Sequence, residues 1–307
     1  MAGARRARGL PVSELHSAPP APGELLVVVG PTASGKTELA LRLAETYGGE
    51  IVGADSVQIY RELDLGSGKP TAEERRRVPH HLVDIADPLD PYDARRFADE
   101  ADRCCADIRA RGRTPIVCGG SFLWVKALLH GLAPAAAADP QLREEHARIC
   151  AQGGRAALHA ELARVDPAAS ARLAPGDFVR VSRALEIFQL TGRPQSEWHA
   201  GHAFAERRYQ ARLLGARRDR AEIDRRIALR AQRWLEQGWI AEVERLLPRY
   251  RHARAMGSVG YRQVRDHLDG KLARDELLPA IVRATRVFVR RQRTWLRDEP
   301  VEWMVGP

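Results

Sequence analysis

The chain is poor in cysteine and has no long apolar run. Its four cysteines, Cys104, Cys105, Cys118 and Cys150, form no C-x-x-C pair in 307 residues. That spacing argues against a zinc site or a dithiol redox centre and fits small buried side chains in a reducing compartment. No segment approaches the roughly 20 apolar residues of a membrane span. The first residues carry arginine with no apolar stretch behind them, so they do not read as a secretory signal. Residues 1–22, rich in Pro and Ala, read as a flexible leader, and the chain as cytoplasmic. No internal repeat is present, which argues against a solenoid.

What the chain has is charge. Hydrophobic residues make up 44% and charged residues 29%, a globular balance, and 49 Lys+Arg against 40 Asp+Glu leave a net charge of +9. A basic surplus suits a polyanionic partner. Arginine supplies much of it, and a GC-rich coding bias produces the same enrichment, so composition alone leaves both causes open.

Short apolar runs alternate with helical patterns in the first part of the chain. ELLVVVG (24–30), EIVGADS (50–56), HLVDIAD (81–87) and TPIVCGG (114–120) read as strands, with helices from KTELALRLAETYGG, DARRFADEADRCCADIRARG and SFLWVKALLHG between or after them. That order predicts a parallel α/β sheet. After Leu132 only helical patterns occur up to about residue 200, as DPQLREEHARICAQGG, GRAALHAELARVDP and DFVRVSRALEIFQLTG. β character returns at YQARLLGARRD (209–219), and Arg-rich helices follow near 220–237, 239–250, 257–269 and 275–297. In the last of these, Ile281, Thr285, Phe288, Gln292 and Trp295 are expected to pack inward. The predicted organisation is a P-loop NTPase-like α/β core over 23–135 and 205–307, with an all-α insertion over 136–204.

GPTASGKT, from Gly30 to Thr37, fits G-x-x-x-x-G-K-[ST] between a strand and a helix, the context such a loop requires. Gly30 and Gly35 let backbone N–H groups converge on phosphate oxygens, and the helix N-terminus adds partial positive charge. Lys36 supplies a full charge, and the Thr37 hydroxyl is a ligand for Mg²⁺. A nucleoside triphosphatase normally sets a metal-binding Asp at the end of another apolar strand. Here the candidate strand ends in IVCGGS and offers Gly119, Gly120 and Ser121. The second strand does end in a carboxylate, Asp55, readable as a turn cap or as a base at the mouth of the phosphate site. A phosphate cradle with a nearby carboxylate fits a reaction in which diphosphate leaves. It also fits a small-molecule kinase, and the loop alone does not choose.

ADSVQIYRELDLGSGKP (54–70), VCGGSFLWVKALLHGL, RVSRALEIFQLTG, GSVGYRQV and RRQRTWLR occur in this order, and with the P-loop they resemble the tRNA dimethylallyltransferase (tRNA isopentenyltransferase) family, bacterial type, from about residue 25 to residue 297. The resemblance implies transfer of a dimethylallyl group from dimethylallyl diphosphate to N6 of the adenosine just 3′ of the anticodon. Diphosphate is released with Mg²⁺ assistance, and the insertion grips the anticodon stem-loop. It further implies a monomer.

Carried over by matching motif, Gly30, Pro31, Thr32, Ala33, Ser34, Gly35, Lys36 and Thr37 hold the donor diphosphate, aided by Arg226 or Arg230 in DRRIALR. Asp55 is the base on the adenine amine, and Lys36 and Ser121 complete the catalytic set. Ser56, Val57 and Gln58 lie beside the target nucleotide. Gln58 suits the Hoogsteen edge of adenine, because an amide can pair with N6 and N7 together. Arg143, Val179, Arg180, Val181, Ser182, Arg183, Gly257, Ser258, Val259, Gly260, Tyr261 and Arg262 match tRNA-contacting positions, as do Asp55 and Ser121. Ser121 stands where the family usually has Thr, keeping the hydroxyl. Ser67 and Gly68 replace a commoner Thr-Ala and are expected to loosen that turn, and Trp124 replaces a usual Tyr.

Three other readings are open to test. An adenylate prenyltransferase acting on AMP shares the loop and the Asp but needs no helical insertion. A small-molecule kinase and a non-catalytic RNA-binding protein fit the downstream motifs and the intact catalytic residues poorly.

Overall fold

A computed structural model describes residues 18–133, 138–202, 204 and 206–305. Most of the expected leader 1–22 lies outside the described residues. The chain divides into two compact units, one of residues 1–129 with 208–307 and one of residues 130–207.

In the first unit, β1 (Leu25–Val29), α1 (Lys36–Thr46), β2 (Gly49–Gly53), α2 (Ala72–Arg77), β3 (His80–His81), α3 (Ala94–Ala110), β4 (Thr114–Gly119) and α4 (Phe122–His130) follow in order. All five side chains of β1 are fully buried. Burying a Val or Leu contributes about 1.5–3 kcal/mol, so this strand is firmly held, and with it the loop that leaves it. Helix α1 turns Leu39, Leu43 and Ala44 onto the sheet, where they pack with Ile51 and Ile116.

The second unit holds α5 (Pro140–Val165), α6 (Pro167–Arg172), α7 (Phe178–Thr191) and α8 (Gln195–His202). Gly154, at φ 75°, breaks α5 into two helices, where the sequence shows its Gly-Gly pair. Leu158 and Leu162 of α5 pack against Val181, Ala184 and Leu185 of α7.

The chain then adds β5 (Ala211–Arg217), α9 (Arg220–Glu236), α10 (Trp239–Tyr250), α11 (Tyr261–Leu268), α12 (Arg274–Leu296) and β6 (Val301–Val305) to the first unit. The sheet has six strands in the order β3-β2-β4-β1-β5-β6, and every pairing is parallel. Its central strand is flanked by β4 and β5, so the loops after β1, β4, β5 and β2 open at one carboxyl edge. Ligands bind at that edge in open α/β sheets.

Three expectations change. The strand expected over 81–87 is only His80–His81, because Leu82 and Asp84 take left-handed φ of 56° and 64°. The segment instead bonds sideways, with the amides of Ile85 and Ala86 donating to Ile59 O. Phe288 and Trp295 of α12 are exposed, and Leu277, Ile281, Thr285, Val289, Gln292 and Leu296 form the buried face. Finally, β6 extends the sheet beyond the last helix. Among the described residues no helix is long and apolar enough to cross a membrane.

Candidate active site

The register of the sheet builds the site. Val29 lies opposite Gly119 on one side and Gly215 on the other. Gly53 lies opposite Cys118. The loops starting at Gly30, Ala54 and Gly120 therefore emerge side by side. Ala54 N donates to Cys118 O at 2.8 Å, and Ser121 N donates to Ala54 O at 3.2 Å. A Cβ at Gly119 would sit 1.9 Å from Ala54 O, so only glycine allows the two turns this close.

In the phosphate loop, Ala33 and Gly35 have φ of 67° and 97°, a folding-back that turns successive amides toward one point. The left-handed backbone costs an alanine about 1–2 kcal/mol. The Ala33 methyl packs on Ile223, Ile227 and Val289, which helps offset that cost. Among the described residues, the amides of Gly35, Lys36 and Thr37 make no hydrogen bond. The buried Ser34 hydroxyl has no partner either. Burial lowers the Lys36 pKa and Arg230 adds to the effect, while Asp55 and Cys118 oppose it.

Asp55 serves the capping role foreseen for it and keeps an oxygen in reserve. Oδ1 accepts from Val57 N at 3.0 Å and Gln58 N at 3.3 Å. Oδ2 accepts no hydrogen bond among the described residues. Ser121 Oγ accepts from Ser56 N at 2.9 Å and lies 3.2 Å from Ser56 Oγ. The turn that carries the carboxylate is thus tied to the end of β4.

Gln58 is placed differently from expectation. Its Nε2 donates to both Ser67 O (3.2 Å) and Gly68 O (2.9 Å). Both amide hydrogens are committed, so the side chain offers only its oxygen and does not span N6 and N7 in this rotamer. The same bonds pin the Ser67–Gly68 turn, which is therefore not loose. Gly68, at φ 64°, has the backbone a glycine adopts freely.

Of the two candidate arginines, Arg230 faces the carboxylate. Burial pushes its pKa down to about 10, and Asp55 pulls it back up. Its guanidinium stacks on Trp234 at 4.6 Å. Arg226 bonds Glu222 Oε1 at 2.7 Å and stands electrostatically beside Arg218.

Two residues that the sequence did not place at the site belong here. Arg218, at the end of β5, donates from Nε to Ser34 O at 2.9 Å and lies under Gly35. Gln292 of α12 accepts from Thr32 N at 2.8 Å and donates to Gly120 O at 3.1 Å. A basic residue ending the strand expected over 209–219 was a usable signal for Arg218. The helical periodicity placed Gln292 inward but carried no hint of its partners.

The residues expected to meet RNA fall into two sets. Val179 and Arg180 are exposed, and Arg180 pairs with Asp177 at 2.7 Å. Arg143 and Arg183 both bond the buried Glu186. Val181 and Ser182 are turned into the helical core, where Ser182 Oγ meets His146 Nδ1 at 2.9 Å. Gly257 and Arg262 are exposed, and Ser258 and Val259 are half-buried. Gly260 lies under the Trp239 ring. Tyr261 is fully buried and donates to Glu242 Oε1, while Glu242 Oε2 accepts from Leu65 N. The side chains of Val181, Ser182 and Tyr261 therefore hold the fold and do not face a partner. The four cysteines are free thiols, and burial pushes Cys105 and Cys118 up to about 12 and about 11, as suits inert side chains. Cys105 is buried, whereas Cys104, Cys118 and Cys150 are only half-buried.

Comparison with known proteins gives a consistent picture. Residues 58–299 match the IPP transferase family model and residues 23–84 the isopentenyl transferase model. A tRNA dimethylallyltransferase of Sorangium cellulosum is 68% identical over 94% of this chain and 93% of its own length. One from Anaeromyxobacter dehalogenans (strain 2CP-C) is 50% identical, over 92% and 95% respectively. The crystal structure of a full-length tRNA isopentenylpyrophosphate transferase from Bacillus halodurans superposes with a TM-score of 0.67 at 36% identity, covering 92% of this chain and 89% of that one.

Proposed function

The chain belongs to the tRNA dimethylallyltransferase family, and we propose that it transfers a dimethylallyl group from dimethylallyl diphosphate to N6 of the adenosine 3′ to the anticodon of tRNA. The observation that carries the reading is Asp55, with one carboxylate oxygen fixed by two backbone amides and the other open beside the phosphate loop.

The amine of adenine is a weak nucleophile, because its lone pair is shared with the ring. The reaction therefore leans on departure of the leaving group. The open amides of Gly35, Lys36 and Thr37, the Lys36 ammonium and the Arg230 guanidinium hold the diphosphate as its charge grows. The bond from the allylic carbon to the diphosphate oxygen breaks with its electron pair going to diphosphate, and N6 bonds to that carbon. N6 then becomes strongly acidic, and Asp55 Oδ2 takes its proton. Ser121 and Ser56 hold the Asp55 turn in place.

Mg²⁺ fits this donor set. Among the described residues no three His, Cys, Asp or Glu side chains gather to hold a metal. A Mg²⁺ ion would rest on the diphosphate, water and the Thr37 hydroxyl, as suits an ion that keeps much of its water. It would neutralise charge on the leaving group.

The helical unit and the net charge of +9 favour a stem-loop over free AMP as acceptor. The side chains offered to RNA are Val179, Arg180 and Arg262, with the exposed backbone at Gly257. Incubating the protein with labelled dimethylallyl diphosphate and an anticodon stem-loop, AMP or neither distinguishes the readings. Label is expected in the stem-loop. Label in AMP alone overturns the proposal in favour of the adenylate enzyme, and ATP consumption without prenyl transfer would favour a kinase.

A further inference from the structure

Gln292 sits on the buried face of α12 at 4% exposure, far in sequence from everything it bonds. Its carboxamide is fully directional in use. Oε1 accepts from Thr32 N in the phosphate loop, and Nε2 donates to Gly120 O after β4. Gly120 is followed by Ser121, whose hydroxyl accepts from Ser56 N, next to Asp55. Hydrogen bonds and single peptide links thus join the donor cradle to the turn that carries the carboxylate. The Thr32 amide, spent on Gln292, is also withheld from the phosphate, leaving the amides of Gly35, Lys36 and Thr37 to receive it. Gly120 is matched to this arrangement, because a Cβ there would lie 2.6 Å from Gln292 Nε2.

We propose that Gln292 is a positioning residue: its carboxamide fixes the phosphate loop relative to the Asp55–Ser121 side of the site and so sets the distance between leaving group and acceptor. The inference rests on the prenyl-transfer reading for its kinetic part, but not for its structural part. A misplacement of about 1 Å between reacting groups costs on the order of 10²-fold in rate. A purely packing role would instead weaken folding and leave the chemistry per folded molecule unchanged.

The test uses Gln292→Met, which keeps length and volume but makes neither hydrogen bond. Single-turnover transfer at saturating donor and stem-loop is expected to fall by about 30–100-fold, with stem-loop affinity within about twofold of wild type. Binding of inorganic diphosphate, followed by calorimetry, is expected to weaken about fivefold, the worth of roughly one hydrogen bond. Gly120→Ala should slow transfer in the wild-type background and change it less than about twofold on top of Gln292→Ala, where the clash is gone. Should Gln292→Met fail to fold, Gln292→Glu replaces it. That variant keeps the acceptor for Thr32 N, loses the donor to Gly120 O and adds a negative charge, so its diphosphate binding should be weaker still. Transfer and diphosphate binding both within twofold of wild type would overturn the proposal, as would a Gly120→Ala cost that persists undiminished beside Gln292→Ala. If the wild type transfers no prenyl group, the functional reading fails, and the diphosphate titrations alone decide the role of Gln292.

Discussion

In the helical unit, the fully buried carboxylate of Glu186 has both oxygens occupied. Oε1 accepts from Asp139 N at 2.7 Å and Arg143 Nε at 2.9 Å, and Oε2 from Arg143 Nη2 at 3.1 Å and from Arg183 Nη1. At the carboxyl edge of the sheet, Asp55 is only half used, and the amides of Gly35, Lys36 and Thr37 have no partner among the described residues. An unpaired polar group sealed from water costs about 1–3 kcal/mol; the Ser34 hydroxyl is such a group, and the loop residues after it are only half-buried, which leaves their amides accessible. Glu186 is satisfied within the fold, whereas the loop mouth presents donors and an acceptor that the fold does not use. The same lesson separates the arginines. Arg143 and Arg183 are bound to Glu186, while Arg230 faces Asp55 and Lys36 across the open site.

This contrast is broken most sharply by removing the base. Asp55→Ala is expected to lower transfer by about 10²–10⁴-fold while stem-loop affinity changes only a few-fold. A comparable loss of affinity in a binding titration would make Asp55 a structural carboxylate like Glu186. Next, Lys36→Met should reduce single-turnover transfer by about 10²–10³-fold with the melting temperature little changed, as a residue serving the ligand and not the fold requires.

Glu186→Gln should do the reverse, lowering unfolding free energy by about 1–3 kcal/mol with transfer per folded molecule preserved. Burial would raise the pKa of Glu186, but the hydrogen bonds from Arg143 and Arg183 more than offset it and the net shift is downward. Its contribution is therefore complete above the ordinary carboxylate value of 4.5 and is lost as the pH falls through the lower folded value. Chemical denaturation at a series of pH values should show the gap between wild type and Glu186→Gln narrowing below about pH 4. A gap that widens there would contradict the pairing.

The smallest effects belong to the exposed basic residues. Arg180→Gln and Arg262→Gln should each flatten the salt dependence of stem-loop binding by about one unit of slope. A wild-type affinity indifferent to salt would remove the phosphate contacts from the account.

The central strands were readable because a fully buried parallel strand is a short apolar run, and β1, β2 and β4 each carry one. Gly-Gly at 153–154 marked the break in α5 for an equally local reason. What failed depends on partners distant in the chain. The 81–87 segment has strand composition, yet its bonds go to Ile59 and Gln58. Phe288 and Trp295 are the largest apolar residues of α12, but the helix turns smaller Val289 and Leu296 inward. GSVGYRQV looked like contact surface, whereas Gly260 and Tyr261 buttress the Gly66–Gly68 turn through Trp239 and Glu242. At the site, the P-loop and Asp55 announce themselves by motif. Arg218 and Gln292 act through single side chains reaching 184 and 260 residues back along the sequence, and no local pattern encodes that.

The claim that most needs testing is that the phosphate loop holds a leaving group. In a single turnover with bound dimethylallyl diphosphate and an anticodon stem-loop, released diphosphate and prenylated adenine should be counted together. The account predicts equal amounts of the two, appearing at the same rate and both suppressed in Asp55→Ala. Diphosphate released without prenylated adenine, or at a rate indifferent to Asp55, would contradict it.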